Sequence, residues 1–276
     1  MRRLGVHTSI AGGLSLSLRR ASELGCNTVQ IFSHNPRGWQ LGEVDPKEAR
    51  AFRKLKKEMD ITPVFVHASY LINVASADLS VREKSVWMLE QEMLRADALG
   101  AEYVIIHTGA FDSGRAESIA ITVDSIRKVL KGGRFKAGLL LENTAGREGE
   151  SGAYIDLLGF ILKETGAAGI CLDTCHAFAA GTEIRTPEGL RRLAGELRTH
   201  IGANKIKAIH LNDSKGALGS RLDRHEHIGK GKIGLAGMRL FLNYKPFKNI
   251  PLILETPRKN PEDDPRNLKV VKELIR

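Results

Sequence analysis

Residues 138–173 read GLLLENTAGREGESGAYIDLLGFILKETGAAGICLD. Two short apolar runs, GLLLE and GICLD, each end in a carboxylate, at Glu142 and Asp173, and between them a segment at about 153–165 carries helical periodicity. A continuously apolar run suits a strand with the core on one face and helices on the other. An ionisable residue closing one such run is chance, but outward from this stretch the device recurs in both directions. LGVH ends at His7, TVQIFSH at His34, TPVFVH at His67 and YVIIH at His107, and later KAIH ends at His210 and PLILE at Glu255.

Between these eight runs lie eight stretches of helical periodicity, at about 13–24, 45–59, 79–99, 115–131, 153–165, 187–201, 234–244 and 263–275. The third is the most regular: Val81, Val86, Leu89, Met93, Leu94 and Leu99 recur on one register, and Gly100 stops it. Asp45-Pro46 and Thr186-Pro187 each set a capping side chain before a proline suited to the first helical position. Strict strand–helix alternation implies a parallel sheet, and eight units imply closure. The sequence therefore predicts an α/β fold, a (β/α)8 TIM barrel that takes up residues 1–276 as one domain. The active site of such a barrel lies at the carboxyl ends of its strands. Every ionisable residue just named falls there.

Bulk properties agree and add exclusions. The 276 residues suit one such barrel, and 42% hydrophobic with 27% charged residues is ordinary for a globular chain. No run approaches the ~20 apolar residues that span a bilayer, so no membrane partner is expected. Met1-Arg2-Arg3 leads directly into an apolar strand with no secretory signal. Three cysteines (Cys26, Cys171 and Cys175) do not make a disulfide scaffold, and a cytoplasmic location follows. The net charge of +10, from 42 basic and 32 acidic residues, fits solvated basic faces as well as a polyanionic partner. It becomes informative only if the pocket itself demands phosphate.

Three further donors sit outside the strand ends. His176 follows Asp173 by three residues in what reads as a loop, and Asp223 and His225 stand two apart, so that an extended chain points both the same way. The collected set is His67, His107, Glu142, Asp173, His176, His210, Asp223, His225 and Glu255. Zinc is usually four-coordinate, so five imidazoles and four carboxylates exceed one ion. Several zinc ions, or zinc with manganese, match the mixed nitrogen and oxygen donors, whereas magnesium or calcium would draw mostly oxygen. Each residue alone has a plainer reading, as a hydrogen-bonded loop histidine or a helix cap. Nine on one rim do not. His7 and His34 also close strands and are kept outside the set, as groups facing the substrate or supporting the ligands. Cys175 reads as a packed thiol. Gly229 to Gly234 spell G-x-G-x-x-G, but a histidine-rich polar stretch precedes them where a dinucleotide site needs a strand, so a flexible loop leading into a helix is the better account.

The strings HTSIAGGL (7–14), FVHASYLINVAS (65–76), LLENTAGREGE (140–150), CLDTCHAFAAG (171–181), HLNDSKGALGSRLDRHEHIGKGKIG (210–234) and PLILET (251–256) together resemble the endonuclease IV family, zinc-dependent enzymes that incise DNA at abasic sites. The motifs run in order over nearly the whole chain. The resemblance implies three zinc ions (Zn2+), one on His67, His107 and Glu142, a second on Glu142, Asp173, His210 and Glu255, and a third on His176, Asp223 and His225. Glu142 and Glu255 would be the catalytic carboxylates, Glu142 bridging two ions and Glu255 orienting the attacking hydroxide. The third ion would stand by the departing 3′ oxygen, leaving a 3′-hydroxyl and a 5′-deoxyribose phosphate. The partner would be double-stranded DNA carrying abasic sites or blocked 3′ ends, and the enzyme a monomer. Arg37, within FSHNPRGW, and Tyr70 with Leu71 would push into the base stack, Asn35 would contact DNA nearby, and Lys215, Ser220 and Arg221 would meet phosphates. Thr108 stands where relatives commonly carry proline after the histidine, and Glu226 and His227 also depart from the family pattern.

Two rivals remain. A metal-dependent sugar isomerase or epimerase on a related barrel would account for Glu142, Asp173, His210 and Glu255 but leaves His176, Asp223 and His225 without a role. A non-catalytic DNA-binding barrel that keeps zinc for stability fits the ligands but not an open site.

Overall fold

The computed structural model describes residues 2–109, 115–147, 150 and 153–275, so residues 148 and 149 of the 140–150 motif lie outside it. Eight parallel strands form one sheet: β1 (Leu4–Val6), β2 (Val29–Ile31), β3 (Val64–His67), β4 (Tyr103–His107), β5 (Gly138–Glu142), β6 (Gly169–Asp173), β7 (Ile206–His210) and β10 (Leu252–Leu254), in the order β1-β10-β7-β6-β5-β4-β3-β2. A parallel bridge between His7 and Gln30 joins the two ends, with the Thr8 N–H donating to the Gln30 carbonyl at 2.9 Å, and the TIM barrel closes. Around it run α1 (Leu14–Glu23), α2 (Pro46–Glu58), α3 (Leu79–Leu99), α4 (Arg115–Gly132), α5 (Ile155–Thr165), α6 (Thr174–Ala179), α7 (Pro187–Glu196), α8 (Gly234–Asn243) and α9 (Asp263–Leu274). The expected caps are in place. Asp45 accepts from the Lys47 N–H, Thr186 from the Gly189 N–H, and Gly100 ends α3 at φ 66°.

The barrel interior explains why the strand ends converge. Side chains alternate with a period of two along a strand. Phe65, Ile105, Leu140, Cys171, Ala208 and Ile253 form a separate apolar cluster. Each stands two residues before a candidate ligand, respectively His67, His107, Glu142, Asp173, His210 and Glu255. That apolar layer is therefore the floor on which the polar rim is built. The larger core lies between the strands and the helices, with Phe52, Met88, Leu89 and Phe241 fully buried.

Four features differ from the sequence reading. β2 ends at Ile31, three residues short of His34, because the Arg95 side chain takes the Ser33 carbonyl and draws the backbone out of the ladder. The segment at 187–201 is α7 followed by a wider π turn over Leu197–Ile201, which brings the His200 carbonyl against Gly159, where any Cβ would lie 2.4 Å from it. The stretch after β6 is helix α6 and not a loop, because Asp173 caps it by accepting the His176 N–H at 2.7 Å. A two-stranded antiparallel hairpin, β8 (Asp213–Ser214) with β9 (His225–Glu226), stands over the rim after β7. No helix among the described residues is long and apolar enough to cross a membrane.

Candidate metal centre

The nine candidate ligands meet at the carboxyl rim. Five end strands β3 to β7, and Glu255 follows β10 directly; His176 is carried by α6, Asp223 by the β8–β9 connection and His225 by β9. Their donor atoms fall into three groups whose members lie within 4.8 Å of one another: His67, His107 and Glu142; Glu142, Asp173, His210 and Glu255; His176, Asp223 and His225. Glu142 belongs to two. Its Oε2 stands 3.4 Å from His67 Nε2 and 3.2 Å from His107 Nε2, and its Oε1 stands 2.8 Å from His210 Nδ1. In the third group Asp223 Oδ1 is 3.2 Å from His176 Nε2 and 3.7 Å from His225 Nε2, while Asp173 Oδ2 lies 3.6 Å from His225 Nε2.

Four of the histidines have their other ring nitrogen tied down. A carbonyl can only accept, so His67 Nδ1–H donates to the Ala68 carbonyl at 2.8 Å, His176 Nδ1–H to the Asn143 carbonyl at 2.9 Å and His225 Nδ1–H to the Glu255 carbonyl at 3.1 Å. Each presents Nε2 to the carboxylates. His210 is turned the other way, with Nε2 on Gln30 and Nδ1 facing Glu142 and Glu255. Fixing one nitrogen so that the other faces a cation is how metal-binding histidines are held.

The charge pattern points the same way. Burial opposes ionisation of Glu142, yet His210 and His107 hold its carboxyl well below the usual range. Burial likewise opposes ionisation of Glu255, and His210 overcomes it. Asp223 is half-buried, and its hydrogen bond to His176 brings it down to about 2. His176 and His210 are driven well above an ordinary imidazole against their burial, His176 by Asp173, Asp223 and Glu142 and His210 by Cys171, Glu142 and Glu255. The pocket therefore draws positive charge. Glu142 Oε2 and His225 Nε2 are buried with no hydrogen-bond partner among the described residues, and both face the groups, where a cation would satisfy them. The donor set fits divalent ions that accept nitrogen and oxygen together. Cys175 also comes within reach of Asp173 and His225, but its thiol donates to the Arg224 carbonyl at 3.7 Å and burial pushes it up to about 12.

A cavity of about 340 Å³ opens over the groups, walled in part by His7, Phe32, Tyr70, Thr256 and Arg258. Tyr70 is 69% exposed and meets Phe32 edge-on at 5.2 Å; Leu71 beside it is half-buried. Asn35 and Arg37 are exposed on the β2–α2 loop, where Asn35 Oδ1 accepts the Arg37 N–H at 3.2 Å. Lys215, Ser220 and Arg221 are exposed between β8 and β9, Lys215 lying 3.8 Å from Glu226.

Several supporting residues escaped the sequence reading. Asn212 donates to Asp173 Oδ2 at 2.7 Å and accepts the Glu255 N–H at 2.9 Å, and Asn143 brackets Asp173 from the other side. Gln30 touches His7, His210 and Glu255 at once; its signal was a polar residue inside the apolar run TVQIFSH. Glu92 of α3 is buried under the loops that follow β2 and β3, accepting the Ser33 hydroxyl at 2.6 Å and the Ser69 N–H at 3.2 Å, with His34 Nδ1 at 3.3 Å. Burial lifts Glu92 to about 7 and lowers His34 to about 4. The glycine triad at 229–234 is not a flexible loop. The N–H groups of Gly229, Gly231, Ile233 and Gly234 all donate to the Asp213 carboxylate, at 2.9–3.2 Å, so the anion this cradle holds belongs to the chain itself.

Comparison with known proteins agrees with this geometry. Residues 18–275 match the xylose isomerase-like TIM barrel family. A probable endonuclease 4 of Methanoculleus marisnigri is 42% identical over 98% of this chain and 98% of its own length. The crystal structure of endonuclease IV from Thermus thermophilus superposes with a TM-score of 0.88 at 37% identity, covering 99% of this chain and 98% of that one. A D-tagatose 3-epimerase-like protein shares the fold alone, with a TM-score of 0.74 at 22% identity over 99% of this chain and 96% of the other.

Proposed function

The chain belongs to the endonuclease 4 group of the xylose isomerase-like TIM barrel family, and on that footing we propose that it is a zinc-dependent endonuclease that cuts duplex DNA on the 5′ side of abasic sites. The products are a 3′-hydroxyl and a 5′-deoxyribose phosphate, and the same chemistry clears blocked 3′ ends. The observation that carries the reading is the third donor group. His176, Asp223 and His225 adjoin the other two groups through Glu142 and Asp173. Three adjacent cation sites suit a phosphodiester, with its attacking, non-bridging and leaving oxygens; a sugar epimerase has no use for the third.

His67, His107 and Glu142 would hold one zinc ion, Glu142, Asp173, His210 and Glu255 a second, and His176, Asp223 and His225 a third. Bound zinc would neutralise the phosphoryl oxygens and lower the pKa of water from about 16 to about 7. Glu142 ties the first two groups together by offering Oε2 to one and Oε1 to the other. Glu255 stays ionised and faces the same space, Oε1 on Gln30 and Oε2 toward His210. Phe32 and Tyr70 give the cavity an apolar wall on the β2–β3 side. An abasic nucleotide lacks stacking and is cheap to extrude, and Arg37, Tyr70 and Leu71 would fill the gap it leaves. Asn35 would touch the backbone nearby, and Lys215, Ser220 and Arg221 would hold phosphates from another arc of the rim.

The test is a duplex with one tetrahydrofuran abasic analogue, incubated with zinc-loaded protein without added magnesium. A single cut immediately 5′ to the lesion, abolished by a strong zinc chelator, is the expected result. An intact duplex, together with turnover of ketose sugars, would transfer the site to the epimerase reading.

A further inference from the structure

We propose that Gln30 is a positioning residue whose side-chain amide fixes which nitrogen of His210 carries the proton and holds Glu255 turned into the pocket, so that the group Glu142, Asp173, His210 and Glu255 is prebuilt for a divalent cation. This deepens the reading of the site given above and rests on it only in that the group takes such an ion.

The assignment starts from one carboxylate. Glu255 Oε1 lies 2.6 Å from Gln30 Nε2, and an ionised carboxylate can only accept. The amide is thereby oriented, with its NH2 toward Glu255, although nitrogen and oxygen of a side-chain amide are otherwise hard to tell apart. Its carbonyl oxygen is then the atom 2.7 Å from His210 Nε2, and a carbonyl can only accept, so Nε2 carries a proton. That leaves His210 Nδ1, 2.8 Å from Glu142 Oε1 and 3.2 Å from Glu255 Oε2, as the nitrogen that offers its lone pair to an ion. The second amide hydrogen of Gln30 points to His7 Nδ1 at 2.9 Å. One side chain thus sets two imidazoles and one carboxylate.

Gln30 gains nothing there as a packing residue. It is fully buried on an inward position of β2, in the strand that closes the barrel through its bridge to His7. Burying an amide is costly unless every polar atom is matched, and an apolar side chain of like size would avoid that cost. The neighbouring strands do fill their inward positions with apolar residues, Phe65, Ile105 and Leu140 among them. The amide is matched here on both ends, and its partners are two candidate ligands and a histidine on the cavity wall.

Two variants test the assignment with zinc alone as the probe. Gln30→Met keeps the length and removes the amide; Gln30→Glu keeps an acceptor for His210 and removes both donors. Expected for Gln30→Met is a 10- to 100-fold loss of affinity for one zinc per chain in chelator competition, roughly the effect of losing a partner that orients a metal ligand. Melting of the metal-free protein should be close to that of the parent. Ring-nitrogen NMR of the zinc-loaded parent should show a protected His210 Nε2–H, retained in Gln30→Glu and lost in Gln30→Met. Zinc affinity within twofold of the parent in Gln30→Met, with the Nε2–H signal intact, would overturn the assignment. If Gln30→Met does not fold, loss of that signal in Gln30→Glu overturns it equally. None of these readings uses DNA, so a parent protein that binds zinc but fails to cut counts against the proposed function and not against this role of Gln30.

Discussion

Glu142 is the residue on which the most depends. It is fully buried, its two oxygens face two different groups, and four imidazoles lie within 3.4 Å of it. Glu142→Gln keeps the shape and removes the charge. The variant should fold, and its incision rate should fall by about 100-fold or more, the upper end of what loss of metal-site support costs; cutting at the parent rate would remove the bridging role. A second prediction concerns the buried pair under the loops that follow β2 and β3. With its folded pKa raised to about 7, Glu92 contributes stability that is present at acid pH and lost as pH rises toward 7. His34, lowered to about 4, does the opposite, contributing above its ordinary value and losing that as pH falls toward 4. Between about 4.5 and 6.5 the folded state carries one proton on Glu92 and the unfolded state one on His34, so their effects cancel. His34→Asn should unmask the acid, and stability should then fall by about 3 kcal/mol relative to the parent as pH rises from 4.5 to 7. Chemical unfolding at several pH values checks this, and a variant curve parallel to the parent's would refute it. The strand-end donors were legible in the sequence because an apolar run fixes where its last residue lands. Glu92 was not, since a lone acid on a helix reads as a solvated face until two loops are seen to fold over it.

At the scale of elements, the β8–β9 hairpin carries or flanks Lys215, Asp223 and His225, and it is anchored from below by Asp213. Four backbone N–H groups of the 229–234 loop converge on that carboxylate, and Lys232 N–H donates to the Ser214 carbonyl at 2.7 Å. Gly231 is required by the close approach, since a Cβ there would stand 2.4 Å from the Ser214 oxygen and 2.5 Å from Asp213 Oδ1. Asp213→Ala strands those donors, and a loss of about 3 kcal/mol is expected from denaturant unfolding. A loss below about 1 kcal/mol would mean that water or another group satisfies the loop equally well. The glycine spacing read in the sequence as a flexible loop, and the anion that orders it was not visible, because Asp213 lies 16 to 21 residues upstream. Helix α6 was hidden for a different reason. Six residues are too few to show a period, although Asp173 ahead of them had the chemistry of a cap.

For the molecule as a whole, the surplus of basic residues, 42 against 32, acquires a use once the pocket is read as a phosphodiester site. Cations that replace counterions on DNA make binding salt-dependent. Affinity for an abasic duplex should drop about tenfold or more between roughly 50 and 200 mM salt, and the paired change of Lys215 and Arg221 to alanine should lower the logarithmic slope by about 2. An unchanged slope would place the contacts elsewhere on the surface. The barrel itself followed from alternation alone, since eight apolar runs and eight helical periods leave few other closures. What alternation could not convey is how two of the three donor groups share a single carboxylate, Glu142, which depends on side-chain directions at the rim. The most direct measurement is therefore anomalous scattering at the zinc absorption edge from crystals of the zinc-loaded protein. Three peaks are expected, one inside each group, with the first two flanking Glu142. A single peak, or peaks lying away from these nine side chains, would contradict the account.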